Sequence, residues 1–415
     1  MTKLAKEKKN NTAIIGAGAA GLFAALILLK EGISVTLFER NDTAGKKLLL
    51  TGNGKCNYSN KALREDKYNA DLPLHIKKLL TDMSPDEIKE FFYELGIPTL
   101  EKDGYFYPFS EQALSVKNVL EEEIINLGGT FCYNTCISSV KKEEDDTFSL
   151  FIKEECVAKG FDSIILCCGG KAAPKTGSDG YGFRIARSLG HDVSNTYPVL
   201  VQLESDDALC KSCTGVRCRA TGKALVDGEV LKTESGELQI TDYGVSGIMI
   251  FNLSRVISKP VEEGKNCEIS LDFLPGIEDA EAFVTNYFKK HPKCRAGIFF
   301  NGLLQKKLTD FRLKEIHFTQ ETVLTAEDMP VVIEELNRLK SYKIKITGHK
   351  GYENAQATKG GVVLSQINES LESELVKNVY FAGEMLDVDG DCGGYNLHWA
   401  WTSAKTAAEA IIKGA

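Results

Sequence analysis

What this sequence lacks narrows its function before any motif is read. No basic run extends beyond the short start carrying Lys3, Lys6, Lys8 and Lys9, and the formal net charge is −8. The electrostatic footprint of a nucleic-acid binder is therefore missing, as is a patch for an anionic membrane. No tract is of low complexity and no segment repeats, so solenoids and long disordered linkers are excluded. Residues 12–29 carry no charge and follow the lysines, but Gly16, Gly18 and Gly21 interrupt the run and a strand pattern follows it, so neither a signal peptide nor a membrane span is expected. Twelve cysteines without a credible export signal point to free thiols in a reducing cytoplasm rather than a disulfide framework. A small-molecule partner remains, with the oligomeric state open.

What is present is ordinary globular material: 415 residues, 43% hydrophobic and 26% charged, enough for two or three domains and a large core. Its centre of organisation is Thr12 to Arg40. The apolar run Ala13-Ile14-Ile15 meets Gly16-Ala17-Gly18-Ala19-Ala20-Gly21, passes into a helix pattern from Leu22 to Lys30, turns at Gly32 and emerges as a second strand, Ser34 to Phe38, closed by Glu39. Gly16 permits the tight turn, Gly18 lets backbone approach a pyrophosphate, Gly21 lets helix pack on strand, and the helix start offers unpaired N–H groups. Glu39 is spaced to accept ribose hydroxyls. The pattern specifies a dinucleotide site in an α/β domain. No second GxGxxG with a following acidic residue exists, so no dedicated nicotinamide domain is expected.

After Glu39 and Arg40, the pair Lys46-Lys47 with Leu48, and the Thr51-Gly52-Asn53-Gly54 loop leading to Asn57, offer cations and free N–H groups to a second phosphate or a ring. Helical periodicity is read at Leu72–Met83, Pro85–Leu95 and Ala113–Leu127. Phe131 to Val140 and Thr147 to Glu154 read as hairpin strands, and Phe161 to Gly170 as a buried strand at a sheet edge, with Cys167 and Cys168 as small strand residues. Residues 191–345 read as an inserted domain, a small β-barrel or sandwich with a helical part at about 276–325, so that 1–190 and 346–415 form one discontinuous domain.

Near the end of the chain, a strand closing in Gly383-Glu384 is followed by Asp387, then Gly393-Gly394-Tyr395-Asn396-Leu397 opens a helix. An acidic residue there can hold a ribityl hydroxyl, and a helix start can aim N–H groups at flavin O2 and N1, which favours FAD over NAD. Asp387-Val388-Asp389-Gly390-Asp391 imitates a calcium loop, but Cys392 and His398 stand where the turn glycine and the bidentate glutamate belong. Cys210 and Cys213, with Cys218, read first as free thiols, then as a zinc site or redox pair; no metal is assigned. Tyr243, His349 and His398 are the candidate proton donors. His75, His191, His291 and His317 read as surface.

Five segments together, IIGAGAAGL (14–22), KLLLTGNGKCN (47–57), LCCGGKAAPKTGSDGYGFRIARSLGH (166–191), ATKGGVVLSQI (357–367) and VYFAGEMLDVDGDCGGYNLHWAW (379–401), resemble the bacterial BaiN-like, or aminoacetone-oxidase, NAD(P)/FAD-dependent oxidoreductases. The resemblance spans nearly the whole chain. It implies a glutathione-reductase-like FAD-binding Rossmann domain interrupted by a β-barrel insert with a small helical subdomain, and non-covalent FAD. Carried over by motif, the flavin contacts are Gly16, Gly18, Ala19, Gly21, Glu39, Arg40, Lys47, Asn57, the Ile137 backbone, Gly169, Glu384, Asp387, Gly394, Asn396 and Leu397, to which the residue reading adds Ala20, Lys46, Leu48, Thr51, Gly52, Gly170, Gly383, Gly393 and Tyr395. Asp242-Tyr243, Ile248 and His398 depart from the His-Tyr, proline and glutamine usual in such proteins. The expected activity is NAD(P)H-driven reduction of an electron-poor C=C, such as an oxo-steroid or bile-acid enone. The alternatives are an amine oxidase using O₂ and a flavin-binding scaffold or RNA-modification partner.

Overall fold

The computed structural model describes residues 10–69 and 72–414; the Lys-rich start lies outside them. The chain divides into two compact units, one holding everything up to Pro198 together with everything from Gln356, the other running Val199–Ala355.

The first unit is built on a five-stranded parallel sheet in the order Val379–Phe381, Ser163–Leu166, β1 (Asn11–Ile15), β2 (Ser34–Phe38), Thr130–Cys132. Its strands are short, nearly continuous apolar runs because helices or a second sheet cover both faces. Alternation assigns the faces: Ile14, Leu37 and Ile165 enter one core with α1 (Ala19–Lys30), Ala113–Asn126 and Tyr395–Gly414, while Ala13, Ile15, Ile164 and Leu166 enter the other. Helix α1 has almost no polar face because it is packed by the sheet, by Ala113–Asn126 and by Tyr395–Gly414. Pro85–Glu94 starts at a reciprocal capping box, in which Ser84 Oγ accepts the Glu87 N–H and Glu87 Oε2 accepts the Ser84 N–H.

Three expectations need correction. Phe131 belongs to a strand that joins β2 in parallel, and the antiparallel meander is instead Ser139–Lys142, Phe148–Ile152 and Glu155–Phe161. Ser163–Leu166 is an interior strand, with Val379–Phe381 at the edge. His191 is buried, its Nε2 lies 2.7 Å from Ser373 Oγ and its ring stands edge-on to Phe381. Period-two patterning names faces but not neighbours, which is the physical reason for the first two differences; His191 is enclosed by residues distant in the chain.

The second unit carries a seven-stranded antiparallel sheet in the order Tyr342–Ile346, Cys267–Asp272, Arg217–Val226, Glu229–Thr241, Gly244–Ser246, Leu203–Glu204, Gly348–His349. The amphipathic helix Ile248–Glu262 lies on it, and Ala280–Lys290, Ala296–Asn301, Lys306–Glu315 and Met329–Leu339 close the core. Among the described residues no helix is long and apolar enough to cross a membrane.

Candidate functional site

A cleft in the first unit runs over the carboxyl ends of β1, Ser163–Leu166 and Val379–Phe381, where parallel sheets place their ligands. The glycine turn that floors it is fixed by three different constraints. Gly16 has φ +103°, and a Cβ there would stand 2.5 Å from the Cys167 carbonyl oxygen. A Cβ on Gly21 would stand 2.0 Å from the Gly16 oxygen, so this glycine sets the approach of helix to strand. A Cβ on Gly18 would meet nothing within 4 Å, because that position faces the open cleft. Gly18 is also the N-cap of α1, which has no side-chain cap and no acidic residue in its first turn. The helix start is thus free to take an anion.

Glu39 lines the cleft and is buried. Its Oε2 accepts the Ala17 N–H at 2.9 Å, and its Oε1 accepts the backbone N–H (2.9 Å) and side-chain amide (2.7 Å) of Asn41. Arg40 pairs with Asp179 at 2.7 Å and lies over the Tyr181 ring. Burial pushes the Cys168 thiol up to about 12, and it donates to the Ile15 carbonyl, so it is a protonated wall group rather than a nucleophile.

Lys47, Glu384 and the start of the helix Tyr395–Gly414 also line the cleft. Glu384 Oε1 accepts the Thr358 N–H at 2.7 Å, while Oε2 pairs with the Lys47 ammonium. Thr358 Oγ1 in turn accepts the Lys171 and Ala172 N–H groups, holding the Gly169-Gly170 turn. Gly383, at φ +69°, is clamped by that helix: its N–H donates to Ser403 Oγ and its carbonyl accepts from Trp399 Nε1.

Gly16, Gly18, Ala19, Ala20, Glu39, Arg40, Lys46, Lys47, Leu48, Thr51, Ile137, Gly169, Gly383, Glu384, Asn396 and Leu397 line this one cleft. Gly21, Gly52, Asn57, Gly170, Asp387, Gly393, Gly394 and Tyr395 are not among the residues that line it. A Cβ on Gly394 would come 2.5 Å from the Ser59 carbonyl oxygen, and Asn396 brackets Gly390 with both atoms of its amide. Asp387 accepts from Gly360 N–H and Ser194 Oγ, and burial holds its carboxyl above the usual range. Residues not singled out from sequence also line the cleft, among them Asn41, Cys136, Thr176, Tyr181, Gln356 and Trp399. Trp399 belongs to the core and to the cleft wall at once.

The candidate proton donors separate. His398 is fully buried, its Nδ1 lies 2.9 Å from Ser59 Oγ, and burial lowers its pKa to about 4. Tyr243 and His349 belong to the second unit. There Lys350 lies over the Tyr243 ring at 4.7 Å, and His349 Nε2 is 2.8 Å from Glu262 Oε1. Cys210 and Cys213 are buried free thiols, and no cluster of three or more His, Cys, Asp or Glu placed to hold a metal occurs among the described residues.

With the geometry in view, comparison with known proteins decides the family. Residues 10–410 match the family described as HI0933-like protein Rossmann domain. The chain belongs to this family. It is 37% identical, over 97% of its own length and 99% of the other's, to a 3-dehydro-bile acid delta(4,6)-reductase of Clostridium scindens. It is 29% identical, over 96% and 98%, to a ribosomal RNA dihydrouridine synthase of Haemophilus influenzae. Among solved structures, a 3-ketosteroid delta1-dehydrogenase of Sterolibacterium denitrificans superimposes with TM-score 0.51 at 10% identity, covering 98% of this chain and 100% of that one. A flavocytochrome c3 fumarate reductase gives 0.50 at 14%, covering 98% and 79%. This member of the family is an enzyme, an oxidoreductase.

Proposed function

We propose that the chain is a reductase with non-covalent FAD that uses NAD(P)H to saturate an electron-poor C=C conjugated to a carbonyl, in an oxo-steroid or bile-acid enone. The observation that carries this reading is the end-to-end match at 37% identity to a relative named for that reduction. The residues present fit FAD: an open Gly18 at an uncapped helix start suits a pyrophosphate, and the Glu39 carboxylate suits a ribose diol. When bound, the cofactor supplies a ring that accepts and donates hydride. The start of the helix Tyr395–Gly414 would steady charge on that ring, and the Ile137 backbone would contact the cofactor.

Reduction of an enone also needs a proton. His398, fully buried with its Nδ1 2.9 Å from Ser59 Oγ, suits a positioning role, while Tyr243 and His349 stand as candidate donors on the sequence reading alone. We also read the second unit's sheet as the inserted barrel, because its two outer strands, Tyr342–Ile346 and Gly348–His349, are consecutive in the chain. Free cysteines suit a cytoplasmic site of action.

Anaerobic titration tests the donor: NADH or NADPH is expected to bleach bound flavin, and failure of both removes the nicotinamide. Reoxidation of the reduced holoenzyme by 3-oxo-Δ4 steroids tests the acceptor, and peroxide release with a small amine would select an oxidase instead. A second reading has a specific support, the relatives at 29% and 27% identity named ribosomal RNA dihydrouridine synthase. The uracil C5=C6 bond is likewise conjugated to a carbonyl, so one hydride chemistry serves both. The net charge of −8 weighs against RNA; binding of ribosomal RNA at moderate salt, with loss of its uracil absorbance, would reverse that weighing.

A further inference from the structure

We propose that the Lys47–Glu384 pair sets the reduction potential of the cofactor, cation and anion each acting on it with opposite sign; this rests on the FAD reading above. Glu384 is well occupied by the chain itself. Its Oε1 accepts the Thr358 N–H at 2.7 Å, and its Oε2 takes the Lys47 ammonium and, at 3.4 Å, the Gly170 N–H. A carboxylate held by three donors from three separate segments is an anchor, and the group it anchors is the flexible one. Lys47 is a four-carbon stem rising from the loop after β2, with Glu384 fixing its charged end.

The frame around the pair is rigid. Thr358 Oγ1 binds two successive backbone N–H groups beyond Gly170, and Gly383 is gripped on both sides of its peptide by Ser403 and Trp399. Both side chains reach the cleft, Lys47 at 24% exposure and Glu384 at 20%. They line the same cleft as the glycine turn and as Asn396 and Leu397 at the start of the helix Tyr395–Gly414. Two-electron reduction of a flavin adds negative charge to its ring. A cation nearby favours the reduced form and an anion disfavours it. The pair therefore holds two opposed contributions, which single substitutions separate.

The test is the midpoint potential of the holoenzyme, measured by equilibration with a reference dye, for the parent and for Lys47→Met, Lys47→Arg and Glu384→Gln. Lys47→Met is expected to shift the equilibrium at least about tenfold toward the oxidised cofactor, about 30 mV more negative for a two-electron couple. Glu384→Gln is expected to shift it the other way, and Lys47→Arg to stay near the parent. Shifts of the same sign, or none, with FAD retained, overturn the proposal. If one variant loses FAD, the sign shown by the other decides. Loss of FAD from both while Lys47→Arg retains it also overturns it, since the pair is then a binding clamp. A colourless parent protein that takes up no FAD sinks the FAD reading itself and is recognised before any potential is measured.

Discussion

Gly21 and Gly16 approach so closely that a Cβ on Gly21 would lie 2.0 Å from the Gly16 carbonyl oxygen, whereas a Cβ on Gly18, between them, would touch nothing within 4 Å. Two glycines of one motif thus answer to different demands, one to packing and one to ligand access.

Gly21→Ala is accordingly expected to cost at least the ~1–3 kcal/mol of an overpacked core, because the obstacle is backbone and cannot rotate away. Gly18→Ala keeps an ordinary negative φ and open space, so its thermal midpoint without added cofactor should match the parent. Its FAD affinity should fall about tenfold, roughly 1.4 kcal/mol. Paired melting curves and FAD titrations separate the two; a Gly18→Ala protein with parental affinity would remove the pyrophosphate from this turn.

Glu39 yields a graded prediction. Glu39→Gln keeps one acceptor oxygen for the Ala17 or Asn41 N–H while losing charge, so its main loss should be FAD affinity, about tenfold or more. Glu39→Ala strands those buried N–H groups as well and should lower stability by about 1–3 kcal/mol even without cofactor. Equal stability of the two variants would mean the carboxylate's backbone contacts are inert.

The glycine turn is readable from sequence because its information is local. The turn, α1 and β2 lie within thirty or so consecutive residues whose steric demands can be reasoned in order. Pro85–Glu94 and Ala113–Asn126 are legible for the same reason, through caps and helical spacing. Contacts made across the chain are not. Thr358 fixes the Lys171 and Ala172 backbone, and Lys47 meets Glu384, over separations that no periodicity encodes. His191 reads as solvated because Gly190 and Asp192 flank it, yet Ser373 and Phe381 enclose it.

His398 sets an acid limit on stability. Burial lowers its pKa to about 4, below the ~6.5 of the unfolded chain, so unfolding takes up a proton once the pH drops below that unfolded value. Its contribution is complete above about pH 6.5 and is lost as the pH falls toward 4, by about 3 kcal/mol at most. His191, lowered chiefly by burial, acts in the same direction. Urea unfolding at pH 7.5 and pH 5 should show a drop in the parent and a smaller one in His398→Gln; identical pH slopes would place the acid sensitivity elsewhere.

In the second unit, Arg312 grips Glu335 with two hydrogen bonds of 2.6 and 3.0 Å, both side chains almost wholly buried, and the guanidinium lies over the Tyr342 ring. Such a pair is held against a large desolvation penalty, so its two members are worth far more together than either is alone. Arg312→Met leaves an unpaired buried carboxylate and Glu335→Leu an unpaired buried guanidinium; each is expected to cost about 3–5 kcal/mol. The double variant, with no charge left to bury, should cost much less than the sum, and a double-mutant cycle from denaturant unfolding reads the difference directly. Additive losses would show that the pair gains nothing from its neighbour beyond shape, and that the helices Lys306–Glu315 and Met329–Leu339 are held together by their apolar contacts alone.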